Sequence, residues 1–227
     1  MKKLFSGVAV VFTISAILLT LVGCGVEKTM NNKTDELKPV EVKDYEGEKL
    51  SSINDFSENS IKGPQHVDKE KYRLSVTGLV ANPRDYTYDQ TISSYKSYKK
   101  VVTLDCVEGW SVTILWEGIL LKDLLAEAGP VPNAKVVIFH AYDGYTTSLP
   151  LSYILDNDIL LAYKINDVTL PTERGFPFQL VAESKWGYKW IKWVTKIELS
   201  DNANYKGYWE SRGYANDADL DKDYFER

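Results

Sequence analysis

Thr103-Leu104-Asp105-Cys106-Val107-Glu108-Gly109-Trp110-Ser111 joins a β-branched, apolar run, Val101 to Leu104, to a loop that holds a cysteine, a glycine and a tryptophan. The chain has two cysteines, and Cys24 sits in a setting of its own near the N-terminus. Cys106 is therefore expected to stand alone in the folded domain, without an intrachain disulfide partner. A lone thiol in an exported protein calls for a chemical reason.

The export reading comes from the first residues. Lys2-Lys3 precede an apolar stretch from Leu4 to Val22, which closes in Leu21-Val22-Gly23-Cys24. A positive start, an apolar core and small residues before a cleavage point describe a secretory signal. Leu-x-Gly-Cys resembles the bacterial lipobox, so residues 1–23 are expected to be a lipoprotein signal peptide with Cys24 as the lipidated residue. The other reading is an uncleaved membrane anchor, because the run approaches the roughly 18-residue length of a membrane span. Both readings put the protein at the cell membrane, facing outward. Residues 24–60 are rich in Lys, Glu, Asp, Asn and Ser and cannot bury enough apolar surface to offset their ordering entropy. They are expected to form a flexible tether, whose last part can also lie against the fold, leaving 61–227 as the domain.

Composition narrows the function. A formal net charge of −5 speaks against a nucleic-acid backbone as partner. With two histidines, His66 and His140, far apart in sequence, a histidine-built zinc site is not expected. Periodicity predicts strands over 72–80, 100–105, 135–140, 145–149, 159–165, 179–182 and 191–199, and helices over 88–95 and 120–128. Gly129-Pro130 ends the second helix. The sum is about seven strands with a few short helices, an α+β domain.

A second chemical stretch runs from Leu170 to Trp193. It brings Arg174, Ser184, Lys185, Lys189 and Lys192 together with Gly175, Gly187 and several aromatic residues in an otherwise acidic chain. Cations suit a phosphate, glycines allow close backbone approach, and rings can wall a planar heterocycle. The same pattern also fits a solvated basic edge over core tryptophans.

In order and spacing, the Cys106-Val107-Glu108-Gly109-Trp110-Ser111 loop, Ser148-Leu149-Pro150-Leu151, Leu160-Leu161-Ala162-Tyr163, Gly175-Phe176-Pro177 and Ile191-Lys192-Trp193 resemble the molybdopterin-binding domain of the sulfite oxidase family. That family includes the catalytic subunit of periplasmic methionine sulfoxide reductases. The resemblance extends from about Ile61 to Tyr214 and implies a sulfite oxidase-like fold of mixed sheets. It implies molybdenum held by a molybdopterin dithiolene, with Cys106 as the protein's thiolate ligand. A soft thiolate suits such a metal, and coordination removes its proton. Tyr145 takes the place of the family's active-site tyrosine. Arg174, Ser184, Lys185, Gly187, Lys189 and Lys192 fall where the cofactor is bound, with Lys189 favoured for its phosphate. The implied reaction is two-electron oxygen-atom transfer on a small substrate of the sulfite, sulfoxide or N-oxide class, served by a separate electron-transfer partner.

Some positions depart from the family pattern. The usual Arg-Asn-His segment is replaced by Lys62-Gly63-Pro64-Gln65-His66, where Gln65 or His66 is the expected substitute contact. Gln179 stands where sulfite oxidases tend to carry arginine. The signal has no twin arginine, although this cofactor is normally inserted before folded export. A metal-free surface binding module of the same fold is thus one alternative. A cysteine hydrolase pairing Cys106 with His140 or His66 is another.

Overall fold

A computed structural model describes residues 40–226 of the chain. The signal peptide, Cys24 and the first part of the expected tether lie outside the described residues. Two five-stranded sheets make up the core. The first is built on β6 (Ser111–Leu120), which pairs antiparallel with β5 (Ser97–Asp105) on one side and β9 (Leu160–Ile165) on the other. The short strands β10 (Val168–Thr169) and β11 (Gln179–Val181) also pair with β9.

The second sheet has the order β4 (Arg84–Tyr86), β3 (Leu74–Gly78), β12 (Val194–Ser200), β7 (Val136–Ala141) and β8 (Thr146–Pro150). Its β3–β12 pair is parallel. Three short helices, α1 (Tyr88–Ser94), α2 (Leu121–Ala128) and α3 (Leu151–Asp156), complete the α+β architecture. No helix among the described residues is long and apolar enough to cross a membrane.

Most expected elements form within a few residues of their predicted limits. The helix over 121–128 buries Leu121, Leu124, Leu125 and Ala128, and Gly129 closes it in the left-handed region with its N–H donating to the Leu125 carbonyl. The strand expected to begin at Ile191 starts at Val194 instead, because Gly187–Lys189 forms a 3-10 turn and Trp193 has φ 52°. Strand β6 was not expected. Every residue from Ile114 to Leu120 is buried, so it shows none of the alternation of a half-exposed strand. Gly118 sits at its bulge against β9, where a Cβ would lie 2.3 Å from the Leu161 carbonyl oxygen.

The domain takes in more of the chain than residues 61–227. Residues 40–60, expected as the end of the tether, lie against the first sheet. A hairpin of β1 (Asp44–Tyr45) and β2 (Glu48–Lys49) leads into Ser51, whose N–H donates to the Thr113 carbonyl at 2.8 Å. Asn166 holds the same segment: its carbonyl accepts from the Val42 N–H, and its side-chain amide donates to the Ser51 carbonyl. Polar anchoring of this kind leaves no trace in hydropathy, which is why the segment resembles a spacer by composition. Phe56 adds an apolar anchor, packing its ring against Trp110 and Trp116.

Glu41 gives this anchoring a pH dependence. Burial acts to raise its carboxyl, but hydrogen bonds from Lys43, Ser52, the Ile53 N–H and Asn166 outweigh it and bring the group to about 2. A depressed folded-state value stabilises the fold above the unfolded value of 4.5 and is lost as pH falls through about 2. Hydrogen exchange at the Ile53 amide should therefore accelerate as pH is lowered from 4.5 towards 2, after correction for intrinsic rates. Glu41→Gln should remove that dependence. A wild-type profile flat through this range would mean that Glu41 does not hold the segment.

Candidate active site

Strand β5 ends at Asp105 and β6 begins at Ser111, so the cysteine loop is the tight connection of an antiparallel pair. The Cys106 N–H donates to the Trp110 carbonyl at 2.9 Å and the Gly109 N–H to the Cys106 carbonyl at 3.0 Å. Gly109 has φ 85°, the left-handed conformation that favours glycine. Paired strands thus hold the thiol at one wall of a cavity of about 420 Å³. Burial pushes the Cys106 thiol above its ordinary range, against backbone hydrogen bonds from Glu108 and Val107 that draw it down. Burial thus favours the thiol over the thiolate here, and a metal bound to the sulfur would remove its proton.

Beside it the lining continues with Gly187 and Tyr188 of the turn Gly187–Lys189 and with Arg174, Lys192 and Trp193. A Cβ on Gly187 would meet the Asp105 carbonyl oxygen at 3.2 Å and the Cys106 Cα at 3.5 Å, so the two turns pack closely, and a side chain there would require the Asp105 carbonyl to give by a few tenths of an ångström. Tyr145 lines the cavity beside β8 and donates its hydroxyl to the Tyr188 carbonyl at 2.5 Å. Burial, then the nearby Glu210 carboxylate, holds its phenol well above the ordinary range, so it is a neutral donor.

The expected basic cluster divides. Arg174 and Lys192 line the cavity but are already engaged. Arg174 donates from Nε to the Ile53 carbonyl at 3.0 Å and from Nη2 to the Phe56 carbonyl at 3.2 Å, with its guanidinium over the Phe56 ring. Lys192 pairs with Glu58 at 2.6 Å. Ser184, Lys185 and Lys189 are not part of the cavity lining. Ser184 opens on a separate polar hollow with Lys100 and Glu183. Lys185 pairs with Asp219. Lys189, the favoured phosphate contact, is fully buried and bonded to Glu210 at 2.6 Å and to the Ser148 carbonyl at 3.0 Å. Carboxylates from the C-terminal segment claim these two lysines, and a 21- to 34-residue separation hid the pairing.

The substitute contacts expected from Gln65 and His66 are also absent from the lining. Gln65 donates to the Gly63 carbonyl. The segment Phe56–Ile61 lines the cavity instead and brings Asn59 to Cys106, its Nδ2 lying 3.7 Å from Sγ. Trp209 and Tyr214, from the aromatic C-terminal stretch, line another side. His140 bonds to Glu198, and neither histidine lines the cavity, so Cys106 has no imidazole base there.

The donor set fits a metal brought in on its own organic ligand. Among the described residues no cluster of three or more His, Cys, Asp or Glu could hold a metal ion, so a bare ion would have only the Cys106 sulfur as a soft protein donor here. Gln179, which lines the cavity, also carries a buried side-chain oxygen, Oε1, with no hydrogen-bond partner within the protein.

Residues 61–209 match the oxidoreductase molybdopterin binding domain family, and the chain belongs to that family. It is 35% identical over 152 residues to the oxidoreductase YuiH of Bacillus subtilis, covering 66% of this chain and 76% of that one. It is also 34% identical over 148 residues to the protein-methionine-sulfoxide reductase catalytic subunit MsrP of Gluconobacter oxydans, covering 58% of this chain and 47% of that one. Among solved structures, the sulfane dehydrogenase SoxCD of Paracoccus pantotrophus superposes with a TM-score of 0.59 at 25% identity, over 62% of this chain and 41% of that one. The chain is thus a molybdopterin-dependent oxidoreductase of sulfite oxidase-like fold.

Proposed function

We propose that this chain is a lipid-anchored, extracytoplasmic oxidoreductase that moves an oxygen atom between water and a small substrate, with Cys106 as the thiolate ligand of its molybdenum. The observation that carries this reading is Cys106 in the wall of an aromatic-lined cavity, packed close against Gly187 of the neighbouring turn. The pterin-bound metal supplies the two-electron redox chemistry. The protein's residues hold, orient and exclude water. Gly187 and Gln179 face the cofactor, Tyr145 keeps a neutral hydroxyl at the cavity edge, and Trp193 and Trp209 form apolar walls.

Of the sulfite, sulfoxide and N-oxide classes, the uncharged oxides suit this cavity best. Arg174 and Lys192 already serve the Phe56 carbonyl and Glu58, and Glu108, Asp143 and Glu173 add negative charge to the lining. An anion such as sulfite would meet more repulsion than attraction there.

A separate electron donor or acceptor completes the reading, since one relative's name is that of a catalytic subunit. The membrane anchor rests on the Leu21-Val22-Gly23-Cys24 signature. One preparation tests the whole: protein purified from membranes of a molybdate-replete native host should contain about one molybdenum and one pterin per chain and carry acyl label at Cys24. Protein that performs its physiological role without metal would instead establish the binding module, and protein without acyl label would remove the anchor.

A further inference from the structure

We propose that Asn59 tunes the metal through its ligand, donating a side-chain N–H to the Cys106 sulfur and drawing electron density from the thiolate. The inference rests on Cys106 being a metal ligand. The amide Nδ2 lies 3.7 Å from Sγ, within hydrogen-bond reach of sulfur, across 47 residues of sequence. A metal-bound thiolate carries no proton and can only accept, so the amide must turn its NH₂ group to the sulfur. In a protein whose metal has one protein donor, a hydrogen bond on that donor is the most direct influence the chain has on the metal's electronics.

The segment that carries Asn59 is secured by two cations of the cavity lining. Arg174 donates to the Ile53 and Phe56 carbonyls, and its guanidinium lies 4.7 Å from the centre of the Phe56 ring. Lys192 holds Glu58, the residue next to Asn59, at 2.6 Å. Two cations at the cavity wall thus fix the strand of chain that delivers the amide. Asn59 is itself exposed, so substitution there leaves the fold in place.

A donor to the thiolate favours the reduced, more electron-rich metal, so its removal should lower the reduction potential. The test compares metal-loaded full-length protein with Asn59→Leu and Asn59→Asp, following the metal's electron paramagnetic resonance signal through a redox titration. Asn59→Leu should shift the equilibrium about tenfold towards the oxidised form, about 59 mV for one electron. Asn59→Asp replaces the donor with a negative charge and should shift it further. The metal–sulfur stretch in resonance Raman should move in both variants. An unchanged potential in Asn59→Leu would overturn the proposal, as would equal shifts in the two variants, which would point to displacement of the segment alone. Cys106→Ser, run in parallel, separates the layers. A signal unchanged by that substitution removes the ligand assignment itself and the Asn59 role with it.

Discussion

Replacing Cys106 with serine is expected to lower oxidoreductase turnover by more than about a hundredfold, beyond what loss of an outer-shell partner of a metal site usually costs. The sulfur stands at the wall of the cavity, and no His, Cys, Asp or Glu cluster among the described residues could take over a metal. Serine offers a hard, poorly ionised oxygen in place of a soft donor, which changes both affinity and the charge delivered to the metal. The fold should tolerate the change. The turn around Cys106 is held by backbone hydrogen bonds that do not involve Sγ, and an effect on stability of about 1 kcal/mol or less is expected. Steady-state turnover with a sulfoxide and molybdenum content per chain, measured beside the thermal midpoint, separate the two effects. Full turnover in the serine variant would mean that the thiolate is not the ligand.

The parts of this site that could be read from sequence are those built by local chemistry. The β-branched run before Cys106 announces β5, and Gly109 announces the turn that follows. Gly187 belongs to a loop whose composition already points to a ligand, and the structure seats it against Cys106. Three other features depend on partners distant in the chain. Strand β6 is buried on both faces, and its apolar run carries no period to distinguish it. Residues 40–60 are held through backbone groups and Asn166, so neither Asn59 nor Glu58 shows in hydropathy. The basic cluster misleads most. Four cations close in sequence suggest one anion, yet Lys185 and Lys189 turn to Asp219 and Glu210, while Arg174 and Lys192 secure the segment before residue 61. Charge in sequence shows where cations are, and only the fold shows what neutralises them.

That reassignment of Lys189 yields the largest expected effect on stability. Lys189 and Glu210 have no side-chain exposure, and the carboxylate also accepts from the Thr147 hydroxyl. Burial pulls the lysine's pKa down, while the Glu210 charge opposes that shift. Glu210→Ala would leave the ammonium with the Ser148 carbonyl as its remaining partner in a closed interior. Removing one member of a buried pair costs about 3–5 kcal/mol. The C-terminal segment should loosen with it, because Glu210 follows Tyr208, whose N–H donates to the Thr146 carbonyl, and Gly207, which packs directly on that strand. Urea denaturation of metal-free protein measures the loss. The double variant Lys189→Met with Glu210→Leu should lose less than either single change, since it leaves no unpaired charge. A lysine kept for the cofactor's phosphate would behave in the opposite way: Lys189→Met would leave the metal-free protein as stable as before and weaken only the loaded form. Equal destabilisation of both forms would assign Lys189 to the architecture behind the site, where it ties the Gly187–Lys189 turn to the C-terminal segment.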